Sequence, residues 1–206
     1  MRLKICGLTD SQNIKDVIGI NPDYIGFIFY QKSKRYVGTK LNNDVILNIP
    51  KTIKKVGVFV NAELSEVISK INLYGLDLVQ LHGDESPDYC LQIYQYARVI
   101  KSFGINEAFN FSVCKSYSTA CNYFLFDTAS KEYGGSGKTF DHNLLKNYKE
   151  KIPFFLSGGV GLAEAQFIKD NLNNKFLHAI DVNSRFENDL LQKDITQLKT
   201  LINILK

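Results

Sequence analysis

The sequence predicts an α/β protein, a single (β/α)8 TIM barrel with parallel strands, and three observations carry that prediction. Short apolar runs rich in β-forming residues recur eight times along the chain. They start roughly 20–30 residues apart, the room that one βα unit needs. Helical periodicity fills most of the gaps, and eight strand–helix units favour closure over an open doubly wound sheet.

In order, the runs cover residues 3–6, 24–29, 56–59, 78–81, 99–102, 123–127, 154–157 and 179–182. Between the third and fourth, residues 62–74 place Leu64, Val67, Ile68 and Ile71 on one helical face. After the fourth, Ser86 and Pro87 give an N-cap and first-turn signal for a helix over 88–97. Segments 106–116 and 142–148 carry little helical periodicity. No linker, low-complexity tract or short repeat interrupts the pattern, so residues 1–206 are expected to form one barrel domain.

Composition narrows the function. A chain of 206 residues, 45% hydrophobic, has the material for one sizeable core. Its 25 Lys and Arg are scattered among 21 acidic residues, giving a net charge of +4 without a basic stripe. That balance suits a small anionic ligand, and neither nucleic acid nor membrane is the expected partner. Cys6, Cys90, Cys114 and Cys121 show no metal-ligand or CxxC spacing, which fits reduced thiols in a cytosol. No signal-type segment opens the chain and no apolar run reaches membrane length, so a soluble cytoplasmic protein is expected.

In such barrels the chemistry sits at the carboxyl ends of the strands. Cys6 ends the first run and is followed by Gly7; alternation turns Lys4 and Cys6 inward. A thiol serves as a base near neutral pH if a cation or backbone amides lower its pKa, whereas position alone also fits a small buried hydrophobe. Asp127 ends an aromatic run, YFLFD, whose apolar surround would favour the proton-donating form; the alternative is a cap or turn residue. An inward Lys4 needs a carboxylate, and Asp181 on the neighbouring eighth strand is the expected one.

Loops after the seventh and eighth strands of such barrels frequently bind phosphate through backbone amides and a helix N-terminus. Here they read SGGVG, with Gly158 and Gly159, and DVNS, with Asp181, Asn183 and Ser184. A GGSG stretch containing Gly135 is placed to close over the same ligand.

Taken together, KICGLT, GFIF followed by KSKRYV, VGVFVN, VQLHGDE, FDT with GGSGKTFD, FLSGGV and AIDVNS resemble the phosphoribosylanthranilate isomerase family of tryptophan biosynthesis, in order and through nearly the whole chain. The resemblance implies an Amadori rearrangement of N-(5-phosphoribosyl)anthranilate without metal or organic cofactor. No long exposed apolar edge in the sequence suggests more than a monomer, so a monomer is expected. The resemblance also implies Asp127 as general acid and Cys6 as general base. Arg35, within a basic loop that also holds Lys32, Lys34 and Lys40, would pair with the anthranilate carboxylate, and His82 with Gln80 would line the pocket.

Lys34 stands where the family usually has Pro, and Arg185 where it commonly has Gly. Arg185 is expected either to strain its turn or to lend a charge to the phosphate. The rival readings are a histidine-pathway isomerase, which would carry a carboxylate in place of Cys6, and a non-catalytic phosphosugar-binding barrel or thiol redox sensor.

Overall fold

Each apolar run becomes a parallel strand because it is covered on both faces, by the barrel interior and by the helices outside. The computed structural model describes residues 1–38, 43–129, 140–172 and 174–206. Its strands are β1 (Arg2–Cys6), β2 (Tyr24–Ile28), β3 (Lys54–Phe59), β4 (Leu78–Leu81), β5 (Arg98–Ile105), β6 (Tyr123–Thr128), β7 (Phe154–Leu156) and β8 (Leu177–Val182). They pair in sequence order, and β1 closes on β8 with Lys4 beside Asp181. Closure leaves no sheet edge.

Alternation along each strand divides the core in two. Phe124 and Phe126 of β6 face outward, into the large cluster beneath the helices. Leu125 faces inward and joins Tyr24, Val56, Leu78, Ile100, Phe155 and Ala179 in a separate plug at the floor of the barrel. Fully burying one such side chain contributes about 1.5–3 kcal/mol, so the floor is a packed layer and not a pore.

Outside the barrel run α1 (Ser11–Gly19), α2 (Asn43–Leu47), α3 (Leu64–Tyr74), α4 (Pro87–Tyr94), α5 (Leu162–Asn171) and α6 (Ile195–Leu205). The Ser86 hydroxyl accepts the Tyr89 N–H at 3.2 Å with Pro87 in the first turn, as the sequence signal required. The helix α3 ends at Gly75, whose φ of 58° is the left-handed cap that glycine takes without strain. The two weakly periodic segments form 3-10 turns, Phe111–Tyr117 and His142–Asn147. Each buries only one or two residues, Cys114 in the first and His142 with Leu145 in the second, too few for the apolar stripe of an α-helix.

Candidate active site

Cys6 sits at the end of β1, 4% exposed, directly across from Gly26 of β2. A Cβ at Gly26 would stand 2.6 Å from the Cys6 sulfur, so the glycine leaves the room that the thiol occupies. Two residues earlier, the fully buried Lys4 donates to Asp181 Oδ1 at 2.9 Å, the pairing expected from strand adjacency. Burial works against the Lys4 charge, but Asp181 and the Cys6 sulfur outweigh it and hold the ammonium above its usual range. For Cys6 the balance falls the other way. Burial pushes the thiol up from its ordinary value of 9.0, although Lys4 and Lys193 pull it down. The lowered thiol expected from the sequence is thus replaced by a protonated resting thiol with two ammonium groups near it.

Across the mouth, Asp127 is the penultimate residue of β6 and faces inward, as Leu125 does. Its carboxylate accepts the Thr128 N–H at 2.8 Å, and His82 Nε2 lies 3.4 Å away. The aromatic surround expected from YFLFD is on the opposite face of the strand, because Phe124 and Phe126 alternate outward. Gly158 is what lies against Asp127: its φ is +92°, and a Cβ there would meet Thr128 N at 2.6 Å and Asp127 Oδ1 at 3.0 Å. Gln80 Nε2 and His82 Nδ1 are 2.9 Å apart, so donation from the amide leaves the ring proton on Nε2, toward Asp127. The Gln80 Oε1 atom is buried without a hydrogen-bond partner among the described residues.

The loop carrying His82 is braced by a buried pair that sequence reasoning missed. Lys101 donates to Glu85 Oε2 at 3.2 Å and to the carbonyls of Leu81 and Gly83 at 3.3 and 2.7 Å. Glu85 in turn accepts the N–H groups of Asn61 and Gly83. Lys101 had a sequence signal, a charge within the apolar run of β5, but Glu85 lies in the polar stretch HGDESPD and had none.

A second missed network stands beside Cys6. Arg35 donates Nε to both oxygens of Glu187, at 2.8 and 2.9 Å, and Nη2 to Oε2 at 2.5 Å. Glu187 also accepts Lys193 Nζ, which donates further to Asn183 Oδ1 at 2.7 Å. Burial would raise the Glu187 carboxyl, but Arg35 and Lys193 hold it below the usual range. Gly7, φ +79°, admits this cluster: a Cβ would lie 2.6 Å from Arg35 Cδ and 2.7 Å from Asn183 Oδ1.

The loops assigned to phosphate divide. Gly158 and Gly159 both take positive φ, at 92° and 67°, ahead of α5, and Gly161 donates its N–H to Glu164 Oε2 at 3.0 Å. Ser184 opens a 3-10 turn, Ser184–Phe186. Two members of the group face elsewhere. Asp181 is 5% exposed in its pair with Lys4, where a carboxylate would repel phosphate, and the Asn183 side chain is taken by Lys193. Arg185 is exposed and absent from the positive-φ residues, so its turn carries none of the strain considered above. Gly135 and Lys40 lie outside the described residues.

Cys6, Lys4, Asp181, His82 and Asp127 share one mouth, for Asp181 lies within electrostatic reach of both Asp127 and His82. Among the described residues no helix is long and apolar enough to cross a membrane.

Known proteins match this chain in sequence and in fold. The family model described as N-(5'phosphoribosyl)anthranilate (PRA) isomerase matches residues 3–204. The N-(5'-phosphoribosyl)anthranilate isomerase of Parabacteroides distasonis is 42% identical over 205 residues, covering 98% of this chain and 92% of that one. The crystal structure of phosphoribosyl anthranilate isomerase from Thermotoga maritima superposes with a TM-score of 0.88 at 33% identity, covering 99% and 98% of the two chains. A phosphoribosyl anthranilate isomerase in complex with reduced 1-(o-carboxyphenylamino)-1-deoxyribulose 5-phosphate gives a TM-score of 0.84 at 29% identity, covering 98% and 97%. With both sequence and fold matched across its length, the chain belongs to the N-(5'-phosphoribosyl)anthranilate isomerase family.

Proposed function

We propose that this chain converts N-(5-phosphoribosyl)anthranilate to 1-(2-carboxyphenylamino)-1-deoxyribulose 5-phosphate in tryptophan biosynthesis. The observation that carries the reading is one inward-facing thiol and one inward-facing carboxylate at the same barrel mouth, with a guanidinium and a positive-φ glycine pair beside them. Asp127 protonates the ribose ring oxygen, the ring opens to an iminium, and Cys6 removes the C2′ proton to give an enolamine that tautomerises to the ketone. His82, donating from Nε2, orients the Asp127 carboxylate, and the buried acceptor Gln80 Oε1 suits a sugar hydroxyl.

The raised thiol of Cys6 is compatible with its role as base. An iminium beside the sulfur adds a third cation to Lys4 and Lys193, so the thiolate is favoured when the ring has opened. In kcat/KM, which reads the free enzyme, the limb belonging to Cys6 is therefore expected above the thiol's ordinary 9.0. A limb below that value would show that the two ammonium groups outweigh burial at the resting thiol.

Arg35 is the anthranilate carboxylate partner; its Nη1 takes no part in the Glu187 clamp, which uses Nε and Nη2. The phosphate sits at the amides following Gly158 and Gly159 and at Ser184. We take the enzyme as a cytoplasmic monomer; closure of the barrel removes strand pairing at a sheet edge as one route to association. The deciding experiment is turnover of phosphoribosylanthranilate by the wild type, Cys6→Ser and Asp127→Asn. Wild-type turnover lost in both variants supports the assignment, and activity persisting in either one removes it.

A further inference from the structure

We propose that Lys193 is a positioning residue that sets both ends of the substrate site at once, holding Arg35 through Glu187 and the loop after β8 through Asn183. This rests on the isomerase reading for the identity of the two ends.

The direction of the Lys193 side chain is determined from several sides. Its backbone is pinned to α1 by a reciprocal pair of bonds: Asn13 Nδ2 donates to Lys193 O at 3.0 Å, and Lys193 N donates to Asn13 Oδ1 at 2.8 Å. An antiparallel bridge joins residue 193 to Glu187. At the other end, the wholly buried ammonium reaches Glu187 Oε1, Asn183 Oδ1 and, at 3.4 Å, Asn183 O. Nothing in this set is a surface charge seeking a partner.

A buried ion pair is a poor device for stability, since well-packed apolar residues of the same volume commonly do as well. Its better use is to impose one geometry, and here the geometry imposed belongs to the site. Glu187 is the intermediary, gripping the Arg35 guanidinium at Nε and Nη2. With Lys193 as its second partner, one carboxylate is shared between two basic side chains, although burial pulls the Lys193 ammonium below its usual range. The same ammonium fixes the Asn183 side chain, whose residue begins the turn leading to Ser184.

Calorimetric titration of the full-length protein with anthranilate and, separately, with inorganic phosphate tests this without relying on turnover. In Lys193→Met, both dissociation constants are expected to rise at least tenfold, and in the isomerase assay KM rises more than kcat falls. Glu187→Gln separates the two arms: anthranilate weakens at least tenfold, while phosphate stays within twofold because Lys193 still holds Asn183. If either probe binds Lys193→Met as it binds the wild type, the proposal is overturned. Should Lys193→Met not fold, the Glu187→Gln pattern decides, and equal weakening of both probes there overturns it. A wild type that binds both probes yet turns over no phosphoribosylanthranilate would instead refute the isomerase reading.

Discussion

The floor and the mouth of this barrel are both buried, yet they treat ionisable groups in opposite ways. At the floor, His178 lies against Tyr24, Tyr123 and Phe155, with ring centroids 5.8, 4.6 and 5.2 Å away. Its Nε2 bonds the Tyr24 hydroxyl at 2.7 Å, and burial with the nearby Arg2 pushes its pKa down to about 4. That histidine is kept neutral. At the mouth, pairing holds the Lys4 ammonium above its usual range and the Glu187 carboxyl below its own, while burial prevails at Asp181, whose carboxyl is pushed up, and at Lys193, whose ammonium is pulled down. Burial alone therefore does not decide which way a group shifts; the balance between burial and partner does. The buried ion pairs gather toward the mouth, whereas the Lys54–Asp77 pair at the other end of the strands is partly exposed.

The largest test of this contrast lies in catalysis. Asp127→Asn keeps the shape of the acid and removes its proton, so kcat is expected to fall by about 10³-fold with little change in thermal stability. A variant that loses stability instead would make Asp127 a structural residue. Next comes the ion pair. Lys4→Met leaves the Asp181 carboxylate buried without its partner, at a cost of about 3 kcal/mol read as a shift of the urea midpoint. Adding Asp181→Leu to Lys4→Met should recover most of that loss. No recovery would mean that the pair is more than mutually neutralising.

The floor gives the smallest effect. Because the folded-state pKa of His178 lies below the ordinary 6.5, the unfolded chain takes up its proton first. Its contribution to stability is complete above about 6.5 and is lost as pH falls toward about 4. His178→Gln should flatten the stability profile in that window; an unchanged slope would place the titration elsewhere.

How far the site was legible in the sequence depended on whether the deciding contact was local. Cys6, Lys4 and Asp127 could be turned inward by alternation alone, and Asp181 matched to Lys4 by the adjacency of the first and last strands. The environment of Asp127 could not be read the same way. Its sequence neighbours Phe124 and Phe126 suggested an aromatic pocket, but strand neighbours point to opposite faces, and the groups near its carboxylate come from residues 82 and 158. Glu187 and Lys193 stand in a polar stretch that names no partner for either. Only their approach to Arg35, 152 positions away from Glu187 in the chain, gives them a task.

By itself the sequence determined the fold class, because eight apolar runs at βα spacing leave few ways to cover every strand on both faces. It also determined which residues end the strands and therefore which side chains can meet at the mouth. Tertiary structure alone decided who pairs with whom across the loops, that the Cys6 thiol rests above its ordinary value, and that Arg35 shares its guanidinium with Glu187. The reason is physical. Period and composition are properties of neighbouring residues, whereas charge state and hydrogen bonding depend on groups that the closed barrel brings together from opposite ends of the chain.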